Sequence, residues 1–313
     1  MGKELKPVLW VHGSIFHLDD TLCAAMGSIL GYQIKRTLNN KIIDECGPAD
    51  IVADFGRKYD GIKFFDHHQP DAPYAQDVGI ENRFPFSRPA AAGYMWAAFH
   101  KSIIKTIDPS VPDNIIPEVR DTIDFQLIAP SDRIDQEGAE IPPEITSLTA
   151  AVGFLNPISN EESEFERAFM NAVLFVQRVL EGAIRKCLFK IYSREAVKAA
   201  PIVNGNILVL DKYMPWQATV CNNPKFNKIL FCVYPSLRGG WNGQTVPKSV
   251  TDRKNRKDFP IEWAGVAGKA LAQLAGQPWE TENDGYFCHV SRFLIAAPTK
   301  DIAIRMCQIA AEN

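Results

Sequence analysis

The sequence predicts an α/β protein: a mostly parallel sheet flanked by helices, a linker helix, and a second, smaller α/β lobe. Three observations predict it. Short apolar runs alternate with stretches of helical period through the first half of the chain. Several of those runs end abruptly in polar residues, as buried parallel strands do. A long run of 3.6 period then separates this half from a second strand-rich region.

In order, "PVLWVHG" reads as a strand entering a loop, and "DDTLCAAMGSILGYQI" as a helix. Leu22, Ala25, Met26, Ile29 and Leu30 recur at three and four residues, and Asp19 or Asp20 supplies the N-cap. "DIVADFG" and "IKFFDHHQ" are short strands. "RPAAAGYMWAAFHKSIIKTI" is a helix with Pro89 at its first or second position. "VRDTIDFQLIAPSDRIDQEG" follows, then a Pro-rich turn at Ile141-Pro142-Pro143. The polar, acidic "NPISNEESEFER" marks a boundary before a long helix in which Phe169, Val173, Val176, Val179, Leu180 and Ile184 keep the helical period. Pro201 stops it. "NGNILVLDKY", "KILFCVYPS" and "GYFCHVSRFLIAAP" read as strands, and "EWAGVAGKALAQLA" and "TKDIAIRMCQIAAEN" as helices. The expected division is 1–155, 156–200 for the connector helix, and 201–313.

Composition narrows the class. The 313 residues suit about two domains. Hydrophobic and charged fractions of 46% and 23% are ordinary for a globular protein. No apolar run approaches the roughly 18–20 residues that span a bilayer. "MGKELKP" has no signal-peptide core, and Lys6 breaks the myristoylation pattern. A cytoplasmic protein without a membrane partner is expected. The net charge of −3 argues against coating long duplex nucleic acid. The seven cysteines form no CxxC pair, so neither a zinc ribbon nor a disulfide framework is indicated.

Four of the six histidines fall in two short stretches: His12 and "FHLDD", then Asp66-His67-His68. Taken singly, an "HH" pair is usually surface or core, and Asp19 or Asp20 a helix cap. Taken together, His12, His17, Asp19 and Asp20, then Asp54, then the Asp66 stretch follow three predicted strands. Functional groups collect at that edge of a parallel sheet. Mixed imidazole and carboxylate ligands suit a divalent transition metal, and a carboxylate can bridge two ions about 3.5–4 Å apart. No G-x-S-x-G elbow, Walker loop or G-x-G-x-x-G follows a strand.

Asp66-His67-His68 with acids at upstream strand ends resembles the DHH phosphoesterase superfamily. The fuller resemblance is to the melanocyte proliferating gene family of metal-dependent hydrolases, whose members are described as RNA exonucleases. Its opening His, Phe-His pair and x-Asp-acid are similar to His12 and "FHLDD". Its Asp-x-Gly and Tyr-Asp match "ADFGRKYD", and its Asp-His-His-Gln matches "FDHHQ". "SRPAAAGYMW", "APSDRIDQEG", "ILVLDKYMPW", "WNGQTVPKS" and the stretch from "CHVS" onward also resemble family landmarks, in order over nearly the whole chain.

The resemblance implies a DHH-like fold and two divalent ions, manganese first, with magnesium, cobalt, zinc or iron as alternatives. It implies that His12, His17 and Asp54 hold one ion. Asp19, Asp54, His67 and one of Asp132 or Asp135 would hold the other. His68 would face the substrate phosphate, with Asp66 orienting His67 and Asp20 left as the helix cap. In the second lobe, Arg238 and Trp241 combine a guanidinium fork with a stacking surface. His289, Ser291, Arg292 and, in the first lobe, Arg88 are further candidate substrate contacts. The basic run Arg253–Lys257 reads ordinarily as a solvated loop. The family has a glycine where this chain has Arg292, a glycine pair where it has Ile295-Ala296, and an Asn where it has Gly13. The expected activity is phosphodiester hydrolysis on short single-stranded RNA or oligonucleotides. Hydrolysis of a cyclic dinucleotide, nucleotide or polyphosphate, or non-catalytic nucleotide binding, are the alternatives. A homodimer is compatible with this reading.

Overall fold

The structure, a computed structural model, describes residues 6–83, 87–137, 147–159, 161–252, 254–279 and 285–313. The expected turn at Ile141-Pro142-Pro143 and the residue Arg253 lie outside them. The fold is α/β. The chain divides into two compact units, Met1–Cys187 and Leu188–Asn313.

The first unit opens with β1 (Val8–His12), α1 (Leu18–Ile29), β2 (Gln33–Thr37), α2 (Ile42–Glu45), β3 (Ile51–Ala53) and β4 (Phe64–Phe65). The sheet order is β2-β1-β3-β4, and every neighbouring pair is parallel. Leu9 and Val11 of β1, all of β3 and both residues of β4 are buried. In β3 and β4 that is the continuous apolar run of a parallel strand covered on both faces, whereas β1 alternates buried and half-buried residues. The helices α3 (Ala91–Ile107), α4 (Ile116–Ile123), α5 (Ala129–Glu137) and α6 (Leu148–Gly153) follow. A five-residue π turn, Asp124–Ile128, joins α4 to α5. The helix α7 (Glu162–Ala199) is 38 residues long, and Phe169, Val173, Val176, Leu180 and Ile184 form its buried stripe.

Two expected helix starts differ from those observed. The N-cap of α1 is His17, not Asp19 or Asp20. Asp20 sits three residues inside and its Oδ1 accepts the His17 N–H at 3.0 Å, the returning half of a capping box. Pro89 precedes the α3 cap, Ala90, instead of lying in the first turn.

The second unit contains β5 (Ile202–Val203), β6 (Ile207–Val209), α8 (Gln217–Cys221), β7 (Phe231–Pro235), β8 (Trp241–Thr245), α9 (Gly268–Leu274), β9 (Phe287–Cys288), β10 (Leu294–Ala297) and α10 (Lys300–Glu312). Its sheet order is β5-β6-β7-β8-β10-β9, with only β6 and β7 parallel. Strand alternation sorts β7 into two cores. Phe231 and Val233 pack with Ile295, Met306 and Phe259. Cys232 and Tyr234 pack with Leu208, Trp216 and Phe226. The single strand expected over "GYFCHVSRFLIAAP" is two short antiparallel strands, because a turn at His289–Arg292 breaks it.

The turn between β7 and β8 depends on Gly240. Its φ is +68°, and a Cβ there would lie 2.5 Å from the backbone oxygen of Ala297. Gly239 is also left-handed but has open space around it. Gly240→Ala should destabilise the second unit by about 1–3 kcal/mol in urea melts, and Gly239→Ala by less.

Candidate metal centre

The carboxyl ends of β1, β3 and β4 lie side by side, so His12, Asp54 and Asp66 emerge at one edge of the sheet. The β1–α1 loop adds His17, and the first turn of α1 adds Asp19 and Asp20. The chain after β4 adds His67 and His68, and α5 adds Asp135.

Two clusters share Asp54. On one side the Nε2 atoms of His12 and His17 are 3.2 Å apart. The Asp54 Oδ2 lies 3.3 Å from His12 Nε2 and 3.6 Å from His17 Nε2. The His12 Nδ1–H donates to the Gly13 carbonyl at 2.8 Å, which leaves Nε2 as the ring atom facing the acids, 3.2 Å from Asp20 Oδ2 and 3.3 Å from Asp54 Oδ2. On the other side His67 Nδ1 lies 3.7 Å from Asp54 Oδ1 and 3.9 Å from Asp19 Oδ2. Its Nε2 lies 3.1 Å from Asp135 Oδ2. Two ligands bonded at about 2.1 Å to one ion and separated by 90–110° stand roughly 3.0–3.4 Å apart. The His12–His17–Asp54 spacings fall at that scale.

Asp54 is the acid of the site best suited to a cation. It is 2% exposed, and neither carboxylate oxygen has a hydrogen-bond partner. Its φ of +63° places a non-glycine residue in the left-handed region, where strain is tolerated mainly at functional positions. Burial, then the Asp20 and Asp135 charges, push its carboxyl well above the usual range. Burial, followed by Asp54 and Asp135, does the same to Asp19. The Asp19 carboxylate accepts the Ala91 and Ala92 N–H groups at 3.0 and 2.8 Å, which seats it on the N-terminus of α3.

One expected role needs correction, one open alternative is narrowed, and one candidate contact is engaged elsewhere. Asp66 orients His68, not the ring of His67. Its Oδ1 accepts the His68 Nδ1–H at 2.7 Å, and its other oxygen accepts the Arg57 N–H. From His67 it takes only the backbone N–H. Asp132 is not in the cluster with His67. It is 2% exposed and its Oδ2 is 2.5 Å from Arg83 Nη1, while Arg83 also forks onto Asp124 at 2.6 and 3.0 Å. The acid that faces His17 and His67 is Asp135, one helical turn further on. Arg292 is engaged within its own unit, with its guanidinium bonded to Asp258 and to the Phe259 carbonyl.

Arg88 donates to the Pro70 carbonyl and covers the Tyr74 ring. Arg238 is exposed on the β7–β8 turn. Trp241 is half-buried against the core of its unit, with the Lys300 ammonium 5.4 Å above its ring. His289 accepts the exposed Ser291 N–H through Nδ1 and packs on Phe293. Within the basic run, Arg256 donates to the Phe226 and Ile229 carbonyls, so it holds the fold.

Sequence reasoning missed Arg83. Burial works against its charge, but the Asp124 hydrogen bond and the Asp132 charge outweigh it and its pKa is raised. The only signal for it was arithmetic: several acids at buried positions need a cation somewhere.

A parallel sheet whose strand ends gather two acid–imidazole clusters defines an α/β protein with a candidate two-metal centre. The family model described as "MYG1_exonuc: Uncharacterised protein family (UPF0160)" matches residues 8–311, and the chain belongs to that family. The chain is similar to the MYG1 protein C694.04c of Schizosaccharomyces pombe, 26% identical over 96% of each chain. It is also similar to the MYG1 exonuclease of Homo sapiens, 25% identical over 96% of this chain and 85% of that one. A solved pGpG-specific phosphodiesterase from Vibrio cholerae aligns over 98% of this chain and 99% of its own, at 15% identity and a TM-score of 0.28. That superposition is too loose to place any residue. No helix among the described residues is long and apolar enough to cross a membrane.

Protons should leave when metal binds. The raised Asp19 and Asp54 favour the folded metal-free chain when protonated, so this contribution fades as pH rises above the ordinary carboxylate value of 3.8 toward their raised values. Cations require the ionised form. Added Mn²⁺ should therefore raise the melting temperature more at pH 8 than at pH 5.5. Titration calorimetry in buffers of different ionisation enthalpy should show net proton release.

Proposed function

We propose that this protein is a metal-dependent phosphodiester hydrolase, an exonuclease on short single-stranded RNA or oligonucleotides. The observation that carries this reading is Asp54, buried with both oxygens unpartnered, grouped with His12 and His17 on one side and 3.7 Å from the Nδ1 of His67, itself grouped with Asp19 and Asp135, on the other. The names of the mammalian relatives support it. His12, His17 and Asp54 would hold one divalent ion, and Asp19, Asp54, His67 and Asp135 would hold the other. Manganese fits this carboxylate-rich mixed donor set best. When bound, such a pair supplies Lewis acidity at a phosphoryl oxygen and lowers the pKa of water.

The remaining work falls to the chain's own residues. His68 is a little over half exposed, and Asp66 holds its Nδ1–H, so its Nε2 is free to meet substrate. The Asp66 hydrogen bond raises the His68 pKa. Its imidazolium faces the phosphate or gives a proton to the leaving oxygen. Burial alone would raise Asp66, but the His68 bond and the Arg57 N–H bring its pKa down, so it stays an anion behind His68. Arg238, exposed on its turn, is the proposed phosphate contact of the second unit. A second reading, a smaller phosphate compound as substrate, draws on the engaged Arg292 and the covered Trp241, which leave fewer groups for a chain of nucleotides.

A substrate panel with Mn²⁺ tests both readings. Cleavage of short RNA oligomers supports the first, and cleavage confined to dinucleotides or polyphosphate the second. A metal-loaded protein that cleaves neither a phosphodiester nor a phosphoanhydride sinks the enzyme reading. His68→Asn should lower kcat on the order of 10²–10⁴-fold with metal content unchanged. Asp54→Asn should abolish turnover and lose metal; full metal content would remove Asp54 as the shared ligand. Arg238→Ala should raise KM without changing metal content.

A further inference from the structure

The loop from His12 to His17 delivers two of the proposed ligands, and its backbone is tied at nearly every turn. The Gly13 N–H donates to the Thr37 carbonyl at 2.8 Å, and the Gly13 carbonyl accepts from His12 Nδ1. Ser14, left-handed at φ +73°, presents its carbonyl to Arg36 Nη2 at 2.5 Å. Phe16 is held on both sides by a single residue from far along the chain. Its N–H donates to Asn156 Oδ1 at 2.9 Å, and its carbonyl accepts from Asn156 Nδ2 at 2.7 Å. Only one orientation of the amide satisfies both bonds. His17 then begins α1, its N–H on Asp20 and its carbonyl accepting from Thr21.

The side chains repeat this grip. Phe16 is buried and meets Phe169 of α7 edge-on, with ring centroids 5.6 Å apart. The Arg36 guanidinium lies 4.4 Å from the Phe169 ring and 5.7 Å from the Phe16 ring. Its side chain is 1% exposed, and Glu166 lies 3.4 Å from its Nη1. None of these residues supplies a ligand atom to the clusters that could hold an ion.

We propose that Asn156, backed by Arg36, is a positioning residue for His17: it fixes the backbone one residue before the imidazole and so sets the His12–His17–Asp54 geometry. This rests on the two-metal reading of the site. A bidentate amide fixes both the height and the rotation of the Phe16 peptide planes, which a single hydrogen bond or an apolar contact does not. The Cα of His17 follows directly from those planes. A ligand–ligand spacing of 3.2 Å tolerates little drift before one imidazole leaves the ion's reach. Arg36 fixes the same loop at Ser14, so the two clamps bracket the segment.

Binding of Mn²⁺ alone, followed by electron paramagnetic resonance and calorimetry, tests this. Asn156→Ala should weaken Mn²⁺ at one site about 10–100-fold and leave the other at the affinity of the unaltered chain. In a His12→Ala background, which already lacks that site, Asn156→Ala should change Mn²⁺ binding no further. Should Asn156→Ala not fold, Asn156→Asp keeps the acceptor for the Phe16 N–H and sets an anion against the Phe16 carbonyl, with the same expected loss. A variant that melts earlier yet binds both ions as the unaltered chain does would overturn the positioning role and leave the two-metal reading standing. An unaltered chain that binds no Mn²⁺ would overturn the two-metal reading itself.

Discussion

Carboxylates buried together at one edge of a parallel sheet are the constraint on which the first unit depends. Asp19, Asp20, Asp54, Asp66 and Asp132 are each at most 2% exposed. Removing one charge from water costs several kcal/mol unless something compensates it. The chain compensates four of them from its own resources. Asp19 takes two α3 amides, and Asp20 takes the His17 N–H and the Thr21 hydroxyl. Asp66 takes His68 and backbone N–H groups, and Asp132 takes Arg83. Asp54 is given nothing of the kind. Asp20 and Asp132 each keep one unpartnered oxygen, but of these five acids only Asp54 has both oxygens so, and the imidazoles on either side are donors that could hold a cation there.

The local structure around Asp54 follows from the same demand. Strand β3 ends at Ala53, so Asp54 is the first residue free of the ladder's side-chain alternation. Its φ is left-handed, and its Oδ2 lies 3.3 Å from His12 Nε2 while its Oδ1 lies 3.7 Å from His67 Nδ1. The Asp54 N–H still donates to the Phe65 carbonyl at 3.0 Å, so β4 anchors the strained residue. Strand pairing thus holds the strain that the site uses.

Much of this was legible in the sequence, because ligand-type residues follow apolar runs and topology brings such strand ends together. His12, His17, Asp54 and the His67-His68 pair needed only that rule and a parallel sheet, and the resemblance singled out His67. What was not legible depends on rotation and on distant partners. Asp132 and Asp135 differ by one helical turn, and no pattern says which faces the site until Arg83 claims the first. Whether Asp66 orients His67 or His68 turns on a single side-chain torsion. Asn156 read as part of a polar boundary before a long helix. Its contact with Phe16 spans 140 residues and leaves no periodic trace.

Arg292 shows how an altered family position can keep its geometry while changing its chemistry. The family resemblance puts a glycine there, and the backbone still adopts φ +54°, a conformation costly for a residue with a Cβ. The Arg292 N–H closes the turn on the His289 carbonyl at 2.8 Å. Its side chain then runs to Asp258 and the Phe259 carbonyl, contacts that a glycine could not make and that offset the backbone strain. Ile295, where the resemblance puts a glycine, is wholly buried in the core with Phe231 and Met306. Both departures strengthen the scaffold of the second unit at positions where glycine would let a ligand approach the backbone. The acid–imidazole cluster of the first unit matches the resembled motifs in its imidazoles and acids, with Gly13 beside them as the departure.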